Sequence, residues 1–298
     1  MTGISSVGSF EYRVPDSLDE TLSILKANGA GARILAGGTD LVLQMKQGQS
    51  RPSLVVDVKR LPELKRLDWS ESGGLRVGAS IRLSKLLTFI PVLERYNILA
   101  QACSVIGSQQ IRNRGTIGGN ICNAAPSADS VPALLCLRAR AVLASSNGTR
   151  NIDLNDFFVA PGKTAIGDDE LLVEIEIPTP PMPSAGCYMR HTTREEMDIA
   201  VVGVASFLTL SSRDDIVAEA RIALGAVAPT PVRAHDAEVF LTGESVTPNA
   251  IEEAARKAMV GASPISDLRG SAEYRREIVR VLTRRTLRKA CGELGLKV

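Results

Sequence analysis

The chain has 298 residues, 44% hydrophobic, 23% charged and 4% aromatic, with a formal net charge of +2. That is enough apolar material for a sizeable core and two or three compact units. The charge is too balanced for a whole-chain attraction to nucleic acid or to an acidic surface.

Residues 1–10 carry neither a basic start nor an apolar centre, so a cytoplasmic protein without a secretory signal is expected. Pro15-Asp16-Ser17 followed by Glu20 is a helix start; with Leu18, Leu22 and Leu25 on one face and Gly29 as the stop, it predicts a helix over 16–28. Short strands follow at 33–36 and at 54–58, the latter bounded by Pro52 and Pro62, making a small α/β unit of residues 1–65. A strand at 75–77 leads into Gly78-Ala79-Ser80, where Ser80 is placed to cap a helix bearing Leu83, Leu86, Leu87 and Ile90, and a second helix is expected over 91–106. Apolar segments at 141–145 and 171–177 read as strands of a largely antiparallel sheet, with Asn147-Gly148-Thr149 as a turn. The proline cluster at 178–183 ends regular structure and marks a boundary between domains at 1–180 (parts 1–65 and 66–180) and 185–298.

Beyond it, strands are expected at 186–191, 201–210 and 218–226, then helices from near Pro231, Pro248 and Ser271. The run 199–210 is broken by Gly203 and is shorter than the ~20 residues a bilayer span needs, which favours a buried strand. The fold class is therefore α+β: a two-part domain, a small α/β unit plus a larger mainly antiparallel one, then a three-stranded sheet covered by helices. Cys103, Cys122, Cys136, Cys187 and Cys291 are odd in number and nowhere closely spaced, as expected of reduced thiols filling a core. The last helix aligns Arg276, Arg280, Arg284 and Arg288 on one face; a solvated face eased by Glu273 and Glu277 is the plain reading, and a docking face for an acidic partner the sharper one.

Two glycine-pair loops carry the chemistry. Ala36-Gly37-Gly38-Thr39-Asp40-Leu41 and Thr116-Ile117-Gly118-Gly119-Asn120 each follow an apolar stretch. A glycine pair lets backbone N–H groups approach an anion with no Cβ in the way, and Thr or Asn adds side-chain hydrogen bonds. Arg112 and Arg114 precede the second loop, and Asn123, Ser127 and Asp129 follow it. No nicotinamide fingerprint accompanies them, and Gly162-Lys163-Thr164 fails as an ATP loop because Phe157 stands where its first glycine belongs. The two loops together predict a clamp on the diphosphate of flavin adenine dinucleotide (FAD). With only His191 and His235 in the chain, a histidine metal site or a Ser-His-Asp triad is poorly supported; no catalytic or metal-ligating residue is assigned.

With Ile34-Leu35 leading the first loop and Ile111-Arg112-Asn113-Arg114-Gly115 the second, and with Ala125-Pro126-Ser127-Ala128-Asp129 and Arg194-Glu195-Glu196-Met197-Asp198-Ile199-Ala200 beyond, nearly the whole chain resembles the FAD-binding subunit of the molybdenum hydroxylases, the xanthine dehydrogenase and aerobic carbon monoxide dehydrogenase group. The resemblance implies that Ile34, Leu35, Ala36, Gly37, Gly38, Thr39, Asp40 and Leu41, with Thr116, Ile117, Gly118, Gly119 and Asn120, wrap the pyrophosphate. It further implies that Asp129 meets a sugar or ribityl hydroxyl, that Leu171 or Leu172 lines the pocket, and that Arg190 lies near the flavin beside the turn at Asp198. A surface ion pair is the alternative for Arg190. Ile106 stands where xanthine dehydrogenases place an aromatic near the ring. The five scattered cysteines do not suit a two-iron cluster, so [2Fe-2S] clusters and the molybdenum cofactor are expected in a small iron–sulfur subunit and a large molybdenum subunit, assembled as a dimer of heterotrimers. The implied function is electron transfer through FAD to an external acceptor. Two other readings stay open: a stand-alone flavoenzyme of the UDP-N-acetylenolpyruvoylglucosamine reductase type, and a non-redox assembly or binding protein.

Overall fold

The computed structural model describes residues 8–211 and 216–298. Its first unit is a parallel three-stranded sheet, with β1 (Glu11–Arg13), β2 (Ala32–Leu35) and β3 (Leu54–Asp57) in the order β1-β3-β2. Helix α1 (Leu18–Asn28) links β1 to β2 and starts two residues later than the pattern suggests, because Ser17 is its cap. The Ser17 hydroxyl accepts from the Glu20 N–H at 3.1 Å, and the Glu20 carboxylate accepts from the Asp16 N–H at 2.8 Å. Leu22, Ile24 and Leu25 are buried, and the chain turns out of the helix at Gly29, φ +48°. Helix α2 (Leu41–Lys46) follows the first glycine loop.

The second unit is an antiparallel sheet of β4 (Leu67–Ser70), β5 (Gly74–Gly78), β6 (Arg140–Ser145), β7 (Gly148–Asp153) and β10 (Leu171–Ile177), in the order β4-β5-β10-β6-β7. The hairpin of β8 (Phe158–Ala160) and β9 (Lys163–Thr164) stands apart from it, after α9 (Leu154–Phe157). Between β5 and β6 the chain makes short helices: α3 (Leu83–Leu86), α4 (Ile90–Arg95), α5 (Asn97–Ser104), α6 (Gln109–Arg112), α7 (Ile117–Cys122) and α8 (Ser130–Cys136). Ser80 does not cap α3; the extended residue at its start is Arg82, because Ile81 first turns inward to 3% exposure. The single helix expected over 91–106 is two, broken where the wholly buried Tyr96 takes φ −124° and ψ 38°. An aromatic driven into the core overrides a periodicity that by itself would run on.

The last part is an antiparallel sheet in sequential order, β11 (Ser184–His191), β12 (Val202–Leu210), β13 (Val217–Gly225) and a two-residue β14 (Val232–Arg233). The segment after Pro231 is thus first this short edge strand, and the helix, α10 (His235–Leu241), begins later. Helices α11 (Pro248–Val260) and α12 (Ala272–Glu293) complete the cover. Every residue of β12 is buried, since one side chain in two faces the C-terminal helices and the others face the preceding part. Val204 and Leu208 join the core under α11 and α12, whereas Ala205 and Phe207 join Leu99, Val131 and Leu135 of the first core. Four cysteines are buried as expected, but Cys122 is exposed. On α12, Arg284 reaches Glu252 of α11 at 3.3 Å, and Arg280 bonds both Glu252 and Glu277. Glu252, not Glu273, is therefore the second partner of the arginine face, and Arg276 and Arg288 stay exposed.

Candidate cofactor cleft

The two glycine loops meet, and each glycine has its own reason. Gly38 has φ +77°, a left-handed conformation that admits glycine without strain. A Cβ on Gly37 would lie 2.3 Å from the Arg114 carbonyl oxygen, and one on Gly118 would lie 2.6 Å from the Ala79 Cβ. Both are glycine because another segment comes so close: Gly37 packs on the approach to the second loop, which holds the two loops together, and Gly118 packs on the residue that follows β5. A Cβ on Gly119 would meet only the Thr116 hydroxyl, at 2.9 Å. Side chains complete the lock: Gln44 donates to Asn123 at 3.1 Å, and Asn123 donates to Asp40 at 3.4 Å.

The loops divide the polar work. In the second, every N–H from 117 to 120 is already engaged: Ile117 with the Ile81 carbonyl at 3.0 Å, Gly118 with Ala79 at 3.1 Å, Gly119 with the Thr116 hydroxyl at 3.0 Å and Asn120 with the Thr116 carbonyl at 3.0 Å. In the first, the N–H groups of Gly37, Gly38, Thr39, Asp40 and Leu41 have no main-chain acceptor among the described residues. Such a row of successive donors without a main-chain acceptor borders the cavity and has the form that can receive an anion.

That cavity is a cleft of about 950 Å³. Its walls include Ile34, Ala36, Gly37, Gly38, Thr39, Asp40 and Leu41 from the first loop and Thr116, Gly118, Gly119 and Asn120 from the second. Ile106, Leu171 and Leu172 add apolar surface; among the described residues no aromatic side chain lines the cleft. Leu35 and Ile117 do not line it: the Leu35 side chain packs against Gly38, with a Cβ there only 3.0 Å from its Cδ1, and Ile117, at the first turn of α7, is 1% exposed in the core. Volume, free N–H donors and apolar walls together suit a dinucleotide with an apolar ring system. Arg33, Arg51 and Lys163 also reach the lining. No motif marks Arg33 or Arg51, whereas Lys163 belongs to the triplet that fails as an ATP loop and yet ends at this cleft.

Asp129 and Arg190 sit apart from the cleft lining, in a buried cluster between the two halves of the molecule. Tyr188 donates to Asp129 at 2.6 Å and Arg190 donates to it at 2.9 Å, while Arg190 also reaches the Asp198 carbonyl at 3.4 Å. The ion pair is not on the surface: the Arg190 and Asp129 side chains are 8% and 9% exposed. Burial pushes the Asp129 carboxyl up to about 6, against the opposing pull of the Tyr188 hydroxyl and the Arg190 charge. Next in sequence, the Ser130 hydroxyl donates to Asn120 at 2.6 Å, so this cluster is one residue removed from a cleft wall. Asp198 ties its turn by accepting from the Thr193 hydroxyl at 2.6 Å and from the Arg194 and Ile199 N–H groups, each at 2.9 Å; the Thr193 bond foremost holds its carboxyl well below the usual range. His191 ends β11 within 3.1 Å of the Tyr274 hydroxyl.

Among the described residues, no group of three or more His, Cys, Asp and Glu side chains is placed to hold a metal ion, and no helix is long and apolar enough to cross a membrane. The family described as FAD binding domain in molybdopterin dehydrogenase matches residues 8–180, and that described as CO dehydrogenase flavoprotein C-terminal domain matches 188–290. The 6-hydroxypseudooxynicotine dehydrogenase complex subunit alpha of Paenarthrobacter nicotinovorans is 36% identical over 95% of this chain and 94% of its own. The carbon monoxide dehydrogenase medium chain of Hydrogenophaga pseudoflava is 33% identical over 94% of this chain and 96% of its own. A solved structure of carbon monoxide dehydrogenase from Hydrogenophaga pseudoflava superposes with a TM-score of 0.91, covering 96% of this chain and 98% of that one at 33% identity. Quinoline 2-oxidoreductase from Pseudomonas putida 86 does so with a TM-score of 0.89 at 32% identity, covering 96% and 98%. With a row of N–H groups lacking main-chain acceptors along a dinucleotide-sized cleft and both family matches in sequence order, the chain belongs to the FAD-binding medium subunits of the molybdenum hydroxylases, as an oxidoreductase component of a multi-subunit enzyme.

Proposed function

We propose that this chain takes electrons from [2Fe-2S] clusters in a small partner subunit and passes them through FAD to an external acceptor, while a large molybdenum subunit oxidises the substrate. The observation that carries this reading is the row of unpaired N–H groups from Gly37 to Leu41 along the cleft. When bound, FAD supplies redox chemistry that accepts single electrons from clusters and releases two together. The chain's own residues do the holding. Gly37 to Leu41 present donors to the diphosphate, Gly118 and Gly119 keep the opposite wall flat, and Asn120 is oriented by the Ser130 hydroxyl. Ile106 and Leu172 exclude water from the ring system.

In this reading Asp129, tied to Tyr188 and Arg190, is the group through which the C-terminal part fixes the far end of the cleft. The natural division is 1–180 for cofactor binding, in parts 1–65 and 66–180, and 185–298 for the C-terminal domain. The assembly is a cytoplasmic dimer of heterotrimers. Named components of relatives, a complex subunit alpha and a medium chain, support a multi-subunit setting.

The test is to purify the chain alone, record its visible spectrum, identify the released cofactor by chromatography, and then co-express it with a small iron–sulfur subunit and a large molybdenum subunit of the same enzyme. FAD in the isolated chain, and reduction of that FAD by substrate only in the reconstituted complex, is the expected result. Reduction by substrate in the isolated chain would instead make it a stand-alone flavoenzyme.

A further inference from the structure

A second cavity, of about 590 Å³, lies behind the cofactor cleft and is distinguished by its charge. Lys59, Lys65, Arg82, Lys85 and Arg114 line it, and among the described residues no carboxylate does. Lys59 pairs with Asp57 at 2.6 Å, but Lys65, Arg82, Lys85 and Arg114 have no ion-pair partner among the described residues. Cations gathered round one concavity without a counter-charge repel one another, and a multivalent anion relieves that repulsion.

The cavity is built from three distant segments, the stretch after β3, the start of α3 and the approach to the second glycine loop. Their backbones are hydrogen-bonded together at its floor: the Leu83 N–H donates to the Gly115 carbonyl at 3.0 Å and the Ser80 N–H donates to the Leu64 carbonyl at 2.9 Å. The Ser80 hydroxyl is buried with no hydrogen-bond partner among the described residues, and Ser80 lines this cavity as well as the cofactor cleft. Thr116 is likewise common to both. The remaining lining is neutral, polar at Ser84, Thr88, Gln109 and Asn113 and apolar at Ile81, and among the described residues no aromatic side chain is present to stack a base.

From these observations we infer a second anion site, separate from the cofactor cleft, that binds the diphosphate of a small phosphorylated molecule. Two guanidinium groups offer the paired N–H geometry that phosphate oxygens fit, and the lysines add point charges. The polar but non-aromatic lining reads charge and hydrogen bonding rather than a base. Because Ser80 and Thr116 form a common wall, an anion bound here lies directly behind the cofactor cleft.

The experiment titrates the full chain, saturated with FAD, with inorganic pyrophosphate and separately with ADP by calorimetry at low and at physiological salt. One site per chain, weakening as salt rises, is expected for pyrophosphate. Arg82→Gln should weaken it roughly tenfold or more, as loss of a charged hydrogen-bond donor does. The double variant Lys65→Glu/Lys85→Glu, at two exposed positions, should abolish binding while leaving FAD content and thermal midpoint unchanged. Tighter binding of ADP than of pyrophosphate would identify a nucleotide as the source; equal binding would identify the bare diphosphate. The inference is overturned if neither probe binds the FAD-saturated chain, if binding occurs only after FAD is removed, or if the double variant binds as well as the wild type. It is equally overturned if the double variant loses FAD, since the cavity would then be part of the cofactor site.

Discussion

A glycine can be required by what its own backbone does or by what another backbone does to it, and the two cases fail differently. Gly37 is of the second kind, with the Arg114 carbonyl 2.3 Å from the position of a Cβ. Gly37→Ala must push the two loops apart, at about 1–3 kcal/mol of overpacking, and should lower both the thermal midpoint and flavin retention. Gly119 faces the cleft with only a hydroxyl nearby, so Gly119→Asp should leave the fold intact and expel the cofactor by placing a carboxylate opposite its diphosphate. Flavin absorbance per folded chain, after gel filtration, separates the two outcomes. Asp129 makes a different kind of residue-level statement. Its carboxyl is raised to about 6 by burial, so between pH about 4 and 6 the folded chain holds a proton that the unfolded chain has lost. Stability from this group is therefore present at pH 4 and falls as pH rises through 6, by on the order of 3 kcal/mol. Stability of wild type and Asp129→Asn by denaturant unfolding should differ in pH slope inside that window and agree in slope below and above it; parallel curves throughout would contradict the assignment.

At the scale of elements, the pairing of α11 with α12 shows how a face that looks available can be occupied. Arg280 and Arg284, four residues apart on one helix, both bond Glu252 of the other. Glu252→Lys should therefore lower the thermal midpoint of the chain, and Arg280→Glu added to it should restore part of the loss by re-forming the pair with charges exchanged. No recovery in the double variant would mean that the arginines serve something other than α11. The periodicity of α12 announced the arginine stripe correctly, but its partner lies 28 residues away from Arg280, a separation at which no helical spacing rule operates.

For the whole molecule, the decisive feature is that the first core is not closed by the first 180 residues. Tyr188, Ala205, Phe207 and Ala223 belong to it, brought by β11, β12 and β13 against α5 and α8. Cys136 seals the same contact by donating to the Ala205 carbonyl at 3.5 Å and the Arg221 carbonyl at 3.4 Å. A fragment of residues 1–180 would expose this surface, so it should bind a hydrophobic dye and release FAD, while the full chain does neither. A dye-silent fragment that keeps its flavin would show that the C-terminal sheet is dispensable for cofactor binding. The buried Asp129–Arg190 pair spans the same junction, which ties the geometry near the cleft to the docking of the two halves.

Local chemistry determined much of this protein. The capped helix at Ser17, the apolar strands at 141–145 and 171–177, the all-buried strand at 202–210 and the two glycine loops are set by turn residues, caps and hydrophobic pattern within a few residues of one another. Their convergence into a cleft was legible because two rare loop types in one chain share a ligand chemistry. Tertiary structure decided which loop keeps its N–H groups free, since in the second loop Ala79 and Ile81 claim the donors of Gly118 and Ile117 that the local Thr116 cap leaves open. It also decided the break at Tyr96, the placement of Asp129 with Tyr188 and Arg190, and the gathering of lysines and arginines from three segments behind the cleft. Each of these is a contact between residues far apart in the chain, fixed by packing and by the satisfaction of buried polar groups, and neither quantity is written in any local window of sequence.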